Sequence, residues 1–262
     1  MLFMQRLLTY PEFQIQNFYY NIMSHSLLII GDSGSGKSTS LFPNPTLGIK
    51  GLNPEDTFII NISKKQLPFA GWRKKYKTFD NENLDGNILF SDNSKMILKA
   101  MKFVNEKRPD IKNIVIEDTN LSSSKTFFDR YNEAGWEKFN EIGGNLGQII
   151  LFKDKFRADL NSIYIFHLDT FEGPDGNKHY KTKTLGKVIE DKLTPETKFT
   201  TVLHAVKEYN PITEVNERWF YNNDYPGSPA KSPFGMFEEF KSINDVGFVL
   251  DKMKEFEECD DC

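Results

Sequence analysis

Apolar residues in this chain come in short blocks separated by polar ones, and the blocks follow two periods. The run Ser26-Leu27-Leu28-Ile29-Ile30 ends abruptly at Gly31 and predicts a buried strand. Residues 57–62 (TFIINI), 111–116, 162–168 (SIYIFHL) and 199–205 (FTTVLHA) are similar runs with β-branched and aromatic bias, and 218–221 is a shorter one. Between them the period changes to that of a helix. Residues 92–108 carry Met96, Ile97, Ala100, Met101 and Val104 on one stripe, with Asp92 as the expected cap and Pro109 just past the end. Residues 124–160 predict a longer helical stretch broken near Gly143-Gly144. Residues 171–183 are polar and Gly-rich and predict a loop or hairpin, and 222–234 predict an irregular surface segment.

Strand and helix in alternation argue for an α/β fold with a mainly parallel sheet covered on both faces. The segmentation expected is an N-terminal extension over 1–25, a core over 26–240, and a C-terminal helix with an acidic tail over 241–262.

Composition narrows this picture in a few places. At 262 residues and 39% apolar, with 23 Phe and 10 Tyr, the chain can bury a core of ordinary size. A net charge of −4 means that any nucleic-acid contact must come from local basic patches. The only cysteines, Cys259 and Cys262, lie in the acidic tail; a C-x-x-C pair is half of a zinc site, and a solvated tail is the simpler reading. A body without cysteine fits a reducing, cytoplasmic setting. No run of about 18 apolar residues suggests a membrane span.

The strand ending at Gly31 is followed by Gly31-Asp32-Ser33-Gly34-Ser35-Gly36-Lys37-Ser38, a full match to G-x-x-x-x-G-K-[ST], and then Thr39. Each position has a reason. Glycines let backbone N–H groups turn toward phosphates, Lys37 meets the β- and γ-phosphates, and Ser38 offers a hydroxyl to Mg²⁺ at the start of a helix. ATP with Mg²⁺ is the expected ligand. Pro43 and Pro45 should limit the helix to about two turns.

Glu117 and Asp118 end the third strand. A carboxylate in such a place holds the metal through water or orients the attacking water, and the two residues leave both assignments open. His167 ends the fourth strand, where a polar side chain can sense the γ-phosphate, with Asp169 as a neighbour that could orient it; a satisfied core histidine is the alternative. Residues 64–77 are basic with aromatics interleaved. Lys64, Lys65, Arg73, Lys74 and Lys75 can meet phosphates while Phe69, Trp72 and Tyr76 stack bases, which are the parts of a single-strand binding surface; a solvated loop is the alternative. Lys178, Lys181, Lys183 and Lys187 form a second basic stretch. Lys231, between Pro229 and Pro233, is one cation on a stiff loop, as a finger acting on a neighbouring subunit requires.

The phosphate loop, TFIIN, the stretch Gln66-Leu67-Pro68-Phe69-Ala70-Gly71-Trp72-Arg73-Lys74-Lys75-Tyr76, the pair of strand ends at Asp118 and His167, and Pro229-Ala230-Lys231-Ser232-Pro233-Phe234-Gly235-Met236-Phe237 together resemble bacteriophage ATPases with a RecA/AAA-type core, some of them similar to the Sak group of single-strand annealing proteins. The resemblance spans roughly residues 26 to 240 and implies a three-layer P-loop core. It also implies a homo-oligomeric ring or filament, slow or DNA-stimulated ATP hydrolysis, single-stranded DNA as ligand, and other phage replication or recombination proteins as partners, all in the host cytoplasm. The Glu117-Asp118 order and the insert around 43–53 depart from its pattern. The rivals are a P-loop kinase, which would need a lid rich in Arg that this chain lacks, and a nucleotide-gated assembly protein without turnover.

Overall fold

The computed structural model describes residues 24–174, 176–185 and 192–259. The first 23 residues, Lys187 and Cys262 lie outside that range. Nine strands form one sheet: β1 (Ser26–Gly31), β2 (Thr57–Asn61), β3 (Ile88–Phe90), β4 (Asn113–Glu117), β5 (Asn161–Glu172), β6 (Lys178–Thr182), β7 (Thr201–Asn210), β8 (Val215–Tyr221) and β9 (Lys241–Ile243). Among the described residues the α-helices are α1 (Trp72–Lys75), α2 (Ser94–Lys107), α3 (Ser122–Asp129), α4 (Glu137–Leu151) and α5 (Val246–Glu257).

The strand order is β3-β2-β4-β5-β1-β7-β8-β9, with β6 paired to β5. From β3 to β7 every neighbour is parallel, so the C-terminal ends of β1, β2, β4 and β5 open on one edge of the sheet. The hairpin partners β6, β8 and β9 add antiparallel pairs. Strand β5 stands between β1, which carries the phosphate loop, and β4, which carries the acidic pair.

Alternation along β1 sorts its side chains into two cores, because successive strand residues face opposite sides. Leu28 and Ile30 join Ile114, Ile116, Tyr164 and Phe166 under α2 and α4. Leu27 and Ile29 join Val115, Ile163, Ile165 and Leu203 under α5 and the segment from Leu41 to Tyr76. The result is the three-layer, mainly parallel α/β core expected from the sequence. Each aliphatic side chain so buried contributes about 1.5–3 kcal/mol, which is why runs without periodicity become central strands.

Three local expectations change. Asn93, not Asp92, caps α2: its Oδ1 accepts from the backbone N–H groups of Lys95 and Met96, while Asp92 pairs with Lys64 at 2.9 Å. Met96 also leaves the stripe and is 46% exposed. The break in 124–160 falls between α3 and α4, at 130–136, and Gly143 and Gly144 lie inside α4. Each glycine costs a helix about 1 kcal/mol, and burial of Ile142, Leu146, Ile149 and Ile150 along one face outweighs that. Residues 171–183 form the β5–β6 hairpin. The C-terminal stretch from 241 is part of the same core: β9 extends the sheet and α5 supplies Val246, Val249 and Met253.

Candidate nucleotide-binding site

The loop from Gly31 to Ser38 leaves β1 at the open edge. Gly34 and Gly36 have φ of 79° and 104°, the left-handed range that side chains resist. Gly36 is also hemmed in, since a Cβ there would lie 2.5 Å from Asn244 Oδ1 and 2.7 Å from Arg218 Cδ. The helix expected after the loop is reduced to one 3-10 turn, Thr39–Leu41, and Phe42 is already extended. Pro43 removes the next backbone donor, and Leu41 and Phe42 turn into the core beside α5. The positive end of a helix therefore contributes less here than the sequence suggests, and the donors must be the loop's own N–H groups and Lys37.

Lys37 is buried, and its Nζ donates to the carbonyls of Gly31 and Asp32, each at 2.7 Å. Burial lowers its pKa to about 8, against the opposing pull of Asp118, Asp32 and Glu117. A cation held by neutral carbonyls in a dry place gains when an anionic phosphate arrives. Ser40 Oγ donates to the Lys37 carbonyl at 2.6 Å and Thr39 Oγ1 to that of Gly36 at 3.0 Å, which fixes the back of the loop.

Across β5, Glu117 is buried at the end of β4 and hydrogen-bonded by the Ser38 hydroxyl. Burial raises its pKa despite that bond, and the neighbouring Asp118 adds to the rise. Asp118 follows in the left-handed conformation, φ 56° and ψ 43°. His167 Nε2 stands 3.2 Å from Asp118 Oδ1 and Lys65 Nζ 3.9 Å from Oδ2. Burial pushes the Asp118 pKa up, but hydrogen bonds from His167 and Ser63 and the charge of Lys65 outweigh it, and Asp118 is held below the ordinary carboxylate range. The His167 backbone N–H donates to Asn120 Oδ1 at 3.2 Å, tying β5 to the turn after Asp118; the strand expected to end at His167 runs on to Glu172 as one arm of the β5–β6 hairpin.

These groups line one cavity of about 290 Å³ with Ser33, Asn61, Ser63, Gln66 and Arg218. A serine hydroxyl beside a buried carboxylate of raised pKa is a donor set that fits Mg²⁺, and the unpartnered buried hydroxyl of Ser35 fits a loop built to meet a further polar group.

The expected residues divide clearly. Gly34, Gly36, Lys37, Ser38, Thr39, Glu117, Asp118, His167 and Lys65 come together. Asp169 does not orient His167: its Oδ1 accepts from the Thr170 N–H at 2.9 Å, and the His167 ring pairs with Asp118 instead. Arg73, Lys74 and Lys75 lie on the turn α1, with Arg73 5.3 Å from the centre of the Trp72 ring. The rings of this segment are committed to packing: Tyr76 is buried, Phe69 lies 4.6 Å from Phe42, and Trp72 lies 6.0 Å from Phe90. Lys231 is outside this cavity, and its backbone pairs both ways with Val202, at 2.8 and 2.9 Å. Five residues of the cavity, Asn61, Ser63, Gln66, Pro68 and Arg218, are not among the expected site residues. Asn61 and Ser63 are polar positions at the end of an apolar strand, a signal that is readable in the sequence. Arg218 carries no local signal.

Strand order and site together define a mainly parallel, three-layer α/β domain with a phosphate-loop motif at the open edge of its sheet. No protein-family model matches the sequence, and no curated protein matches it. Among solved structures the chain is similar to a KaiC-like protein of the hyperthermophilic archaeon Pyrococcus horikoshii, at 12% identity over 75% of this chain and 76% of that one, with a TM-score of 0.39. At that level of likeness the chemistry has to be read from this chain's own residues. Among the described residues no helix is long and apolar enough to cross a membrane.

Proposed function

We propose that this protein is an ATPase that binds ATP with Mg²⁺ in the cavity between the β1 loop and the ends of β4 and β5. The observation that carries the reading is the convergence of Ser38 with Glu117 and of Asp118 with His167 within one cavity around Lys37. Bound between Ser38 and Glu117, Mg²⁺ would neutralise charge on the β- and γ-phosphates. Lys37 exchanges its carbonyl partners for phosphate oxygens. Asp118, kept ionised and aimed by His167, accepts a hydrogen bond from the attacking water and sets its lone pair in line with the γ-phosphorus. The bond to the β–γ bridging oxygen breaks, ADP leaves, and the water's proton ends on the released phosphate or in solvent. In this reading Glu117 is the metal-side residue and Asp118 the water-side one.

Single-stranded DNA is the ligand this reading assigns to the cationic segment 64–77, in keeping with the resemblance to phage annealing ATPases. With Tyr76 and Phe69 packed inward, the contact is electrostatic, carried by Lys74, Lys75 and Arg73, and stacking contributes little. Assembly with further copies of the chain belongs to the same reading, with Lys231 reaching a neighbour's nucleotide.

Phosphate release is measured with purified protein, ATP and Mg²⁺, without an acceptor and across a titration of single-stranded DNA. Release without acceptor supports an ATPase; transfer only to an added small molecule would make this a kinase; binding without release would leave a nucleotide-gated assembly protein.

A further inference from the structure

Strand β7 is longer than β1. The last β1–β7 pair is Gly31 with Ala205, and β7 runs on to Asn210. Its antiparallel partner β8 therefore overhangs the phosphate loop, with Trp219 opposite Val206 and Arg218 opposite Lys207. The overhang brings Arg218 Nε to 3.4 Å from the Gly34 carbonyl, and its Cδ against Gly36. Arg218 lines the same cavity as Lys37, Ser38, Glu117 and Asp118.

This guanidinium has no carboxylate partner among the described residues. The acids nearest along the hairpin are occupied: Glu217 accepts from Asn210 Nδ2 at 2.6 Å, and Glu208 accepts from the Tyr221 hydroxyl and faces Lys241 at 3.5 Å. A single long bond to a carbonyl leaves most of its five donors unused. The other cations of the cavity are engaged, Lys37 with the loop carbonyls and Lys65 with Asp118. A nucleoside triphosphate carries more negative charge than Lys37 and one Mg²⁺ offset. On the same side of Gly36 as the Arg218 Cδ sits Asn244, buried, with both amide atoms unpartnered. The next residue, Asp245, caps α5 and accepts from the N–H groups of Lys50 and Gly51 at 2.6 and 3.0 Å. Gly36 thus packs against both Asn244 and the Arg218 side chain.

We propose that Arg218 is a phosphate-binding residue of this site, supplied within the same chain, and that it meets the terminal phosphate of a bound nucleoside triphosphate. The inference rests on the nucleotide-binding reading above and adds to it a specificity: Arg218 makes the site prefer triphosphate over diphosphate. The fork of the guanidinium suits two oxygens of a terminal phosphate, and a lysine at 218 would supply charge without that geometry.

The test is a titration of wild-type protein, Arg218→Ala, Arg218→Lys and Lys37→Ala with a non-hydrolysable ATP analogue and with ADP, both with Mg²⁺. Arg218→Ala is expected to weaken the triphosphate analogue roughly 10- to 100-fold, the span of a lost hydrogen bond to a charged group, and ADP less than about threefold. Arg218→Lys should recover part of the loss. Equal weakening of both nucleotides would mean that Arg218 only shapes the loop, and no weakening would mean that it touches neither; each result overturns the proposal. If wild type binds the analogue and Lys37→Ala does not, while Arg218→Ala binds normally, this inference alone fails. If wild type binds neither nucleotide, the proposed function fails and takes the inference with it.

Discussion

His167, level with Gly31 in the β1–β5 register, and Asp118, just past the end of β4, stand on neighbouring strands of the sheet, and their side chains meet at 3.2 Å between Nε2 and Oδ1. The residues are far apart in sequence, and the parallel pairing of β4 with β5 brings their strands side by side. Asp118 takes a left-handed backbone at this point, a conformation that costs a non-glycine residue on the order of 1 kcal/mol. Strain of that kind at the rim of a cavity is what a positioned reactive group requires.

Separating the roles of the two carboxylates follows from this geometry. Asp118→Asn should bind Mg²⁺-ATP within about threefold of wild type and lose turnover by ~100-fold or more, the scale of a positioned acid–base group. His167→Gln should lower kcat by a smaller factor, since it acts through Asp118. Glu117→Gln should instead raise the Mg²⁺ concentration needed for binding. Normal turnover in all three variants would remove this strand edge from the chemistry.

Lys37 predicts a pH dependence with a definite sign. Binding needs the protonated amine, whose pKa in the free protein is about 8. Affinity for ATP should be level below pH 8 and fall toward tenfold per pH unit above it, until the higher pKa of the bound state is reached. Folding runs the other way. The pKa is lowered from 10.5, so the unfolded chain binds more protons between pH 8 and 10.5 and stability from this group rises across that window. Lys37→Met should abolish binding yet raise stability by about 1–3 kcal/mol at pH 7. A thermal melt and a titration of the same sample check both, and a Lys37→Met protein that melts lower than wild type would contradict the burial argument.

The cationic turn α1 is tested by Arg73→Ala, Lys74→Ala and Lys75→Ala combined. Affinity for single-stranded DNA should fall, and the slope of log K against log salt should shrink by about 2, roughly 0.7 for each phosphate that is no longer neutralised. ATP binding should not change, because none of the three lines the nucleotide cavity. An unaltered slope would return the segment to a solvated surface.

Lys231 sits on a backbone pinned to Val202 and has no carboxylate partner among the described residues. Lys231→Ala should bind ATP as wild type does and hydrolyse it ~10³-fold more slowly, the scale of a trans-acting cation. Mixing it with Lys37→Ala should restore part of the activity by pairing an intact loop with an intact lysine across an interface. Co-assembly of the two without any rescue, followed by size-exclusion chromatography and phosphate release, would rule out action in trans.

The phosphate loop, the alternation of strands and helices, and the end of β4 that carries Glu117 and Asp118 were determined by the sequence by itself, while the run of β5 beyond His167 to Glu172 was not. Each depends on local chemistry: glycines where φ must be positive, apolar runs where both faces are covered, polar residues where a strand leaves the core. What surrounds the loop was decided only by tertiary structure. The helix after Ser38 shrank to one turn because Leu41 and Phe42 found a place in the core. The rings of 69–76 turned inward because Phe42 was there to receive them. Arg218 and Asn244 reached Gly36 because β7 outruns β1 and because α5 docks through Asp245. Local patterns record what a residue's own backbone and its solvent exposure demand. Contacts between residues some two hundred positions apart depend on strand order, register and relative strand length, which no short window of sequence contains.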